Sequence, residues 1–138
     1  MRLLLDTHAL LWLLNGDPLL ESQACDLVTD PANDVFVSSV SLWEITVKLR
    51  IGKLVANLPQ IIAGCRQTGL QFLDITHQHY LRLAGLPVFA DHRDPFDHLL
   101  IAQAMTEDMV LVSEDRNIPR YDLRFIPCRN SAPASTEN

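Results

Sequence analysis

The chain reads as an α/β domain: a central, mostly parallel sheet with helices on both faces. Three observations predict this. Short apolar or β-branched runs at residues 2–5, 35–37, 71–75, 110–113 and 123–126 alternate with segments patterned as helices. No internal repeat, low-complexity block or linker interrupts that alternation before the C-terminal tail. A length of 138 residues, 48% hydrophobic and 20% charged, fits one domain with a real core.

The elements follow in order. Residues 2–5 form a short buried strand. Residues 8–14 form a helix closed by the breaker cluster Asn15-Gly16-Asp17-Pro18. A second helix spans 21–29 and ends at Asp30-Pro31. Residues 35–37 are β-branched and aromatic, hence a strand. The helix at 38–50 stops near Gly52. Residues 59–68 are helical, 71–75 a strand, and 77–86 a helix ending at Pro87. Residues 88–93 are a loop. The helix at 94–108 has a strong start, with Asp94 as N-cap, Pro95 at the first position and Asp97 in the first turn. Strands at 110–113 and 123–126 complete the domain, set at residues 1–127. Residues 128–138 are polar and small, and read as a disordered tail.

A net charge of −6 argues against a general nucleic-acid-coating surface, which would be basic. It leaves room for an enzyme that meets nucleic acid through a local basic patch and metal ions. Cys25, Cys65 and Cys128 are odd in number and widely spaced, which points to free thiols in a reducing compartment. No stretch approaches the roughly 20 apolar residues of a membrane helix. Asp6 and His8 interrupt the apolar N-terminus, against a signal peptide. The expected location is the cytoplasm.

Four acids stand where acids are costly. Asp6 follows the first strand and Asp115 follows the strand at 110–113, so both fall on the carboxyl edge of the sheet, where such folds bind ligands. Glu44 interrupts the helical stripe Val40, Val47, Ile51. Asp97 shares a stripe with Leu100, Ile101 and Ala104. Each has a local explanation. Asp6 fits an N-cap, and Ser41-x-x-Glu44 fits a capping box. Glu44 can also pair with Lys48, and Asp115 suits a turn. A capping acid, however, has no need to point at the core. Acids gathered there repel one another unless a cation neutralises them, and hard oxygen ligands select Mg²⁺ or Mn²⁺ over zinc.

Four segments carry a family resemblance. Leu3-Leu4-Leu5-Asp6-Thr7-His8-Ala9-Leu10-Leu11-Trp12 resembles the opening of PIN-domain ribonucleases of the VapC toxin type. Ser38 to Ile45 is similar to their second motif, Asp94 to Ala104 to the third, and Leu111 to Asp115 to the fourth. The ordered set spans nearly the whole chain up to about Pro127. The resemblance implies a PIN-like three-layer α/β/α fold and a Mg²⁺- or Mn²⁺-dependent endoribonuclease. It carries metal-site and catalytic roles onto Asp6, Glu44, Asp97 and Asp115, with Thr7, Asp94 and Ser113 in support. Thr7 is expected beside Asp6, and Ser113 beside an acid or a water. The implied partners are an RNA substrate, a cognate antitoxin and a second copy of the chain, with no membrane. His98 stands where the family commonly has Arg.

Candidates for RNA contact are Lys48, Arg50, Lys53, Arg93 and Arg116. His92 and His98 flank the third motif, while His77 and His79 diverge on a helix. Two rival functions remain. One is a catalytically silent PIN-like binding module, although all four acids are present. The other is an aspartyl-nucleophile phosphatase, which wants a second Asp where His8 stands.

Overall fold

The computed structural model describes residues 1–130. In chain order it contains β1 (Arg2–Leu5), α1 (Thr7–Asn15), α2 (Ser22–Thr29), β2 (Asp34–Ser38), α3 (Ser39–Arg50) and α4 (Leu58–Gln67). β3 (Gln71–Leu73), α5 (His77–Ala84), α6 (Pro95–Glu107), β4 (Val110–Ser113), a 3₁₀ turn (Ile118–Arg120) and β5 (Phe125–Pro127) follow. The five strands form one sheet in the order β3-β2-β1-β4-β5, with every pairing parallel. The expected α/β architecture is therefore the observed one.

Alternation along the central strands divides the core in two. Leu3 and Leu5 of β1 face a cluster with Leu10 of α1, Ala24 and Val28 of α2 and Ile61 of α4. Leu4 faces the opposite cluster, with Leu99, Leu100, Ile101 and Ala104 of α6. Both faces of β1 are buried, as an all-parallel sheet requires. Each fully buried Leu contributes about 1.5–3 kcal/mol relative to leaving it exposed.

Some boundaries differ from expectation for local reasons. Ser38, not Ser41, caps α3: its hydroxyl accepts from the Val40 N–H at 2.9 Å. The capping-box reading of Ser41-x-x-Glu44 is thereby corrected, since Ser41 lies inside the helix and is buried. The stripe on α3 also fades toward its end, where Ile51 is 59% exposed. β3 is three residues long, because only Gln71–Leu73 pairs with β2. β5 begins at Phe125, where the register with Leu111 starts. The chain stays packed beyond residue 127, against the expected tail boundary. The Cys128 N–H donates to the Ser113 carbonyl, and Asn130 bonds Glu21 and Ser22 beside α2. The rest of the expected tail, residues 131–138, lies outside the described residues.

Cys25, Cys65 and Cys128 are free thiols, as expected. Burial pushes the Cys128 thiol well above its ordinary range, helped by the nearby charges of Asp6 and Glu114. No described helix is long and apolar enough to cross a membrane. Leu10 is core, and Leu11 to Leu14 and Leu42 pack against it half-buried. Trp43 is exposed, with its ring edge-on to Phe96 at 4.8 Å.

Candidate metal centre at the carboxyl edge of the sheet

Strand order reverses beside β1. The chain passes from β1 out to β2 and β3, then returns to β4 on the other side of β1. Such a reversal leaves a crevice beyond the carboxyl ends of the two strands. Asp6 sits at the end of β1, and Ser113-Glu114-Asp115 at the end of β4. A cleft of about 420 Å³ opens there. Asp6, Glu44, Asp97 and Asp115 all line it, together with Thr7 and Asp94. Residues 109 positions apart in sequence thus meet through one parallel pairing, β1 with β4.

Three of the four acids are held on both oxygens. Asp6 Oδ1 accepts from the Ala9 N–H at 2.7 Å, which makes it the N-cap of α1. Its Oδ2 accepts from the Ser113 hydroxyl at 2.7 Å and the Glu114 N–H at 3.2 Å. Glu44 Oε1 accepts from the Thr7 hydroxyl at 2.5 Å, and Oε2 from Lys48 Nζ at 2.6 Å. Asp115 Oδ1 accepts from Asn117, through its backbone N–H at 2.9 Å and Nδ2 at 3.1 Å. Asp115 Oδ2 lies 2.7 Å from His92 Nε2. Asp97 differs: among the described residues its carboxylate meets only His92 Nε2, at 3.5 Å.

The supporting residues are thereby placed. Ser113 bridges two acids, donating to Asp6 and accepting from the Asp115 N–H at 3.0 Å. Thr7 serves Glu44 rather than Asp6, because α1 turns its side chain toward Ser41, 3.1 Å away. Asp94 caps α6 by accepting from the N–H groups of Phe96 and Asp97. Two helix N-termini, those of α1 and α6, therefore meet the cleft. Their positive dipole ends offset part of the repulsion among the acids.

The remaining repulsion shows in the titration of Asp97. Its carboxyl is pushed up to about 8, first by burial and then by the charges of Asp94, Asp115, Asp6 and Glu44. Asp6 is also raised, by burial, against the lowering effect of its hydrogen bonds. Lys48 is raised by its hydrogen bond to Glu44. Six acids and two permanent cations, Lys48 and Arg116, line the cleft. Such an anionic oxygen-rich pocket fits a hard divalent cation.

Of the expected RNA-contact residues, Lys48 and Arg116 line the cleft, and Lys48 is already engaged with Glu44. Arg50, Lys53 and Arg93 are exposed and lie outside its lining. His77 is exposed while His79 is buried against Glu107, so the two do diverge. One residue takes a place that motif spacing did not give it. His92, in the loop before α6, is buried and lies within reach of both Asp97 and Asp115. Its two-residue separation from Asp94 was the only signal in the sequence.

A family model described as PIN domain matches residues 3–123. The chain belongs to the PIN domain family. The match contains Asp6, Glu44, Asp97 and Asp115. Among solved structures, the chain is similar to VapBC2 from Rickettsia felis bound to a promoter DNA fragment, with a TM-score of 0.68 at 16% identity, covering 92% of this chain and 98% of that one. It is also similar to DNA-bound VapBC from Salmonella typhimurium, with a TM-score of 0.64 at 18% identity, covering 94% and 99%. VapBC-5 from Mycobacterium tuberculosis follows, with a TM-score of 0.57 at 17% identity, covering 91% and 98%. Identities this low speak for the PIN fold alone. No curated protein matches the chain by sequence.

Proposed function

We propose that this PIN domain is a Mg²⁺- or Mn²⁺-dependent endoribonuclease, the toxin of a toxin–antitoxin pair that blocks translation. The observation that carries the reading is the convergence of Asp6, Glu44, Asp97 and Asp115 on one cleft, with the Asp97 carboxyl pushed up to about 8. A protein gains nothing in stability from that crowding, whereas a cation-binding site requires it. Likeness to VapBC structures supports the toxin assignment and an antitoxin partner.

The four acids would hold the cation. When bound, Mg²⁺ or Mn²⁺ supplies water activation and neutralisation of phosphate charge. The chain's own residues prepare the rest. Ser113 and the Ala9 N–H fix Asp6, and Thr7 and Lys48 fix Glu44, so these carboxylates need no rearrangement when substrate arrives. Arg116, exposed at the cleft rim, is placed to meet an RNA phosphate. Attack by water, needing no 2′-hydroxyl nucleophile, leaves a 5′-phosphate and a 3′-hydroxyl.

The test is cleavage of a structured RNA by purified protein, with the ends of the products sequenced. Activity is expected with Mg²⁺ or Mn²⁺ and not in excess chelator, and Asp6→Ala or Asp97→Ala should abolish it while the fold persists. Full activity in chelator, or RNA binding without cleavage under any divalent metal, overturns the reading.

A further inference from the structure

We propose that Tyr121 and His92 form a hydrogen-bonded relay that positions Asp115, with His92 acting as a donor to the carboxylate and not as a metal ligand. The proposal rests on the cation-dependent reading of the cleft, and the experiment below separates the two.

His92 Nδ1 lies 2.7 Å from the Tyr121 hydroxyl, and Nε2 lies 2.7 Å from Asp115 Oδ2. Both rings are buried, at 5% exposure each. An ionised carboxylate accepts hydrogen bonds and donates none. The proton between His92 and Asp115 therefore belongs to Nε2. In the neutral ring Nδ1 then carries the lone pair, and the Tyr121 O–H donates to it. The Asp115 carboxylate thus fixes the tautomer, and the Tyr121 hydroxyl holds the ring in place. A ring with its hydrogen on the cleft-facing nitrogen has no lone pair left for a cation there. Asp115 gains the opposite property. Asn117 holds one of its oxygens and His92 the other, so its carboxylate has a single orientation.

The ring is itself braced. His98 Nε2 donates to the His92 carbonyl at 2.7 Å, and the two imidazoles meet edge to face at 4.9 Å. Phe89 bridges to His92 across the loop and stacks edge-on against Tyr121 at 5.4 Å. This is the role that the histidine at 98 takes in this chain. Outer hydrogen bonds of this kind orient metal-binding groups, and their loss typically costs about 10–100-fold in metal affinity.

Two measurements test it. Nitrogen NMR of the metal-free protein should show His92 protonated on Nε2 in the wild type and in Tyr121→Phe alike. Mn²⁺ titration should then show about a tenfold weaker affinity in Tyr121→Phe, a larger loss in His92→Leu, and partial recovery in His92→Gln, whose amide N–H can still donate. A proton found on Nδ1 in the wild type overturns the relay, as does direct nitrogen coupling of His92 to bound Mn²⁺. Unchanged Mn²⁺ affinity in both Tyr121→Phe and His92→Leu also overturns it, and leaves the nuclease reading intact. Failure of the wild type to bind Mn²⁺ at all overturns both.

Discussion

Replacing Asp97 by Asn should stabilise the metal-free protein, increasingly as pH rises. In the folded chain the Asp97 carboxyl is pushed up to about 8 from the ordinary 3.8. A group whose folded pKa is raised contributes stability that is fully present below 3.8 and is lost as pH rises through 8. The metal-free wild type therefore weakens across that window, while Asn, neutral throughout, does not. The whole gap corresponds to an upper bound on the order of 6 kcal/mol. Asp97 is 30% exposed and shares its repulsion with four other carboxylates, so solvent screening brings the expected gain to about 1–3 kcal/mol. The assay is urea unfolding in chelator at pH 5 and pH 9, comparing wild type with Asp97→Asn. The variant's advantage should be smaller at pH 5 than at pH 9. A difference that is flat with pH, or a variant less stable at pH 9, refutes the electrostatic account of the cleft.

Three further outcomes follow from the same geometry. Saturating the wild type with Mn²⁺ at a hundredfold excess over its dissociation constant should add about 2.7 kcal/mol, a rise in Tm on the order of 10 °C by calorimetry; no rise argues against a cation site. Lys48→Met leaves the Glu44 side chain, 4% exposed, without its cation; a loss of about 1–3 kcal/mol is expected in chelator, most of it recovered with Mn²⁺. Ser113→Ala takes a donor from Asp6 and an acceptor from the Asp115 N–H; unfolding should show a cost of about 1–3 kcal/mol, and RNA cleavage should fall with it.

The sheet was legible because its signals are local. β1 and β4 match the expected spans at both ends, since apolar runs bounded by Asp6 and by Ser113 leave little choice. The caps at Asp6 and Asp94 were equally plain, each being a matter of three neighbouring residues. Convergence of the acids followed from topology, because two parallel neighbours end at one edge. What escaped was long-range pairing of side chains. Nothing in the spacing of Thr7 says that it turns to Glu44, 37 residues away. His92 meets Tyr121 across 29 residues and Asp115 across 23, through a loop with no periodicity to read. Ser41 misled for a related reason: its spacing to Glu44 imitates a cap, while Ser38 one turn earlier performs it.

The position of β1 carries a consequence for how the cleft opens. Its backbone is paired on both sides, to β2 and β4, and the Asp6 N–H continues the ladder to the Val112 carbonyl at 2.9 Å. Amides of Leu5 and Asp6 should exchange with deuterium only when the whole domain unfolds. The loop bearing His92 has no such ladder: one isolated bridge, the contacts of His92 with Tyr121 and Asp115, and the exposed Arg120–Asp91 pair hold it. Its amides are expected to exchange before those of β1. One wall of the cleft is thus as durable as the domain itself, while the wall facing it rests mainly on side-chain contacts.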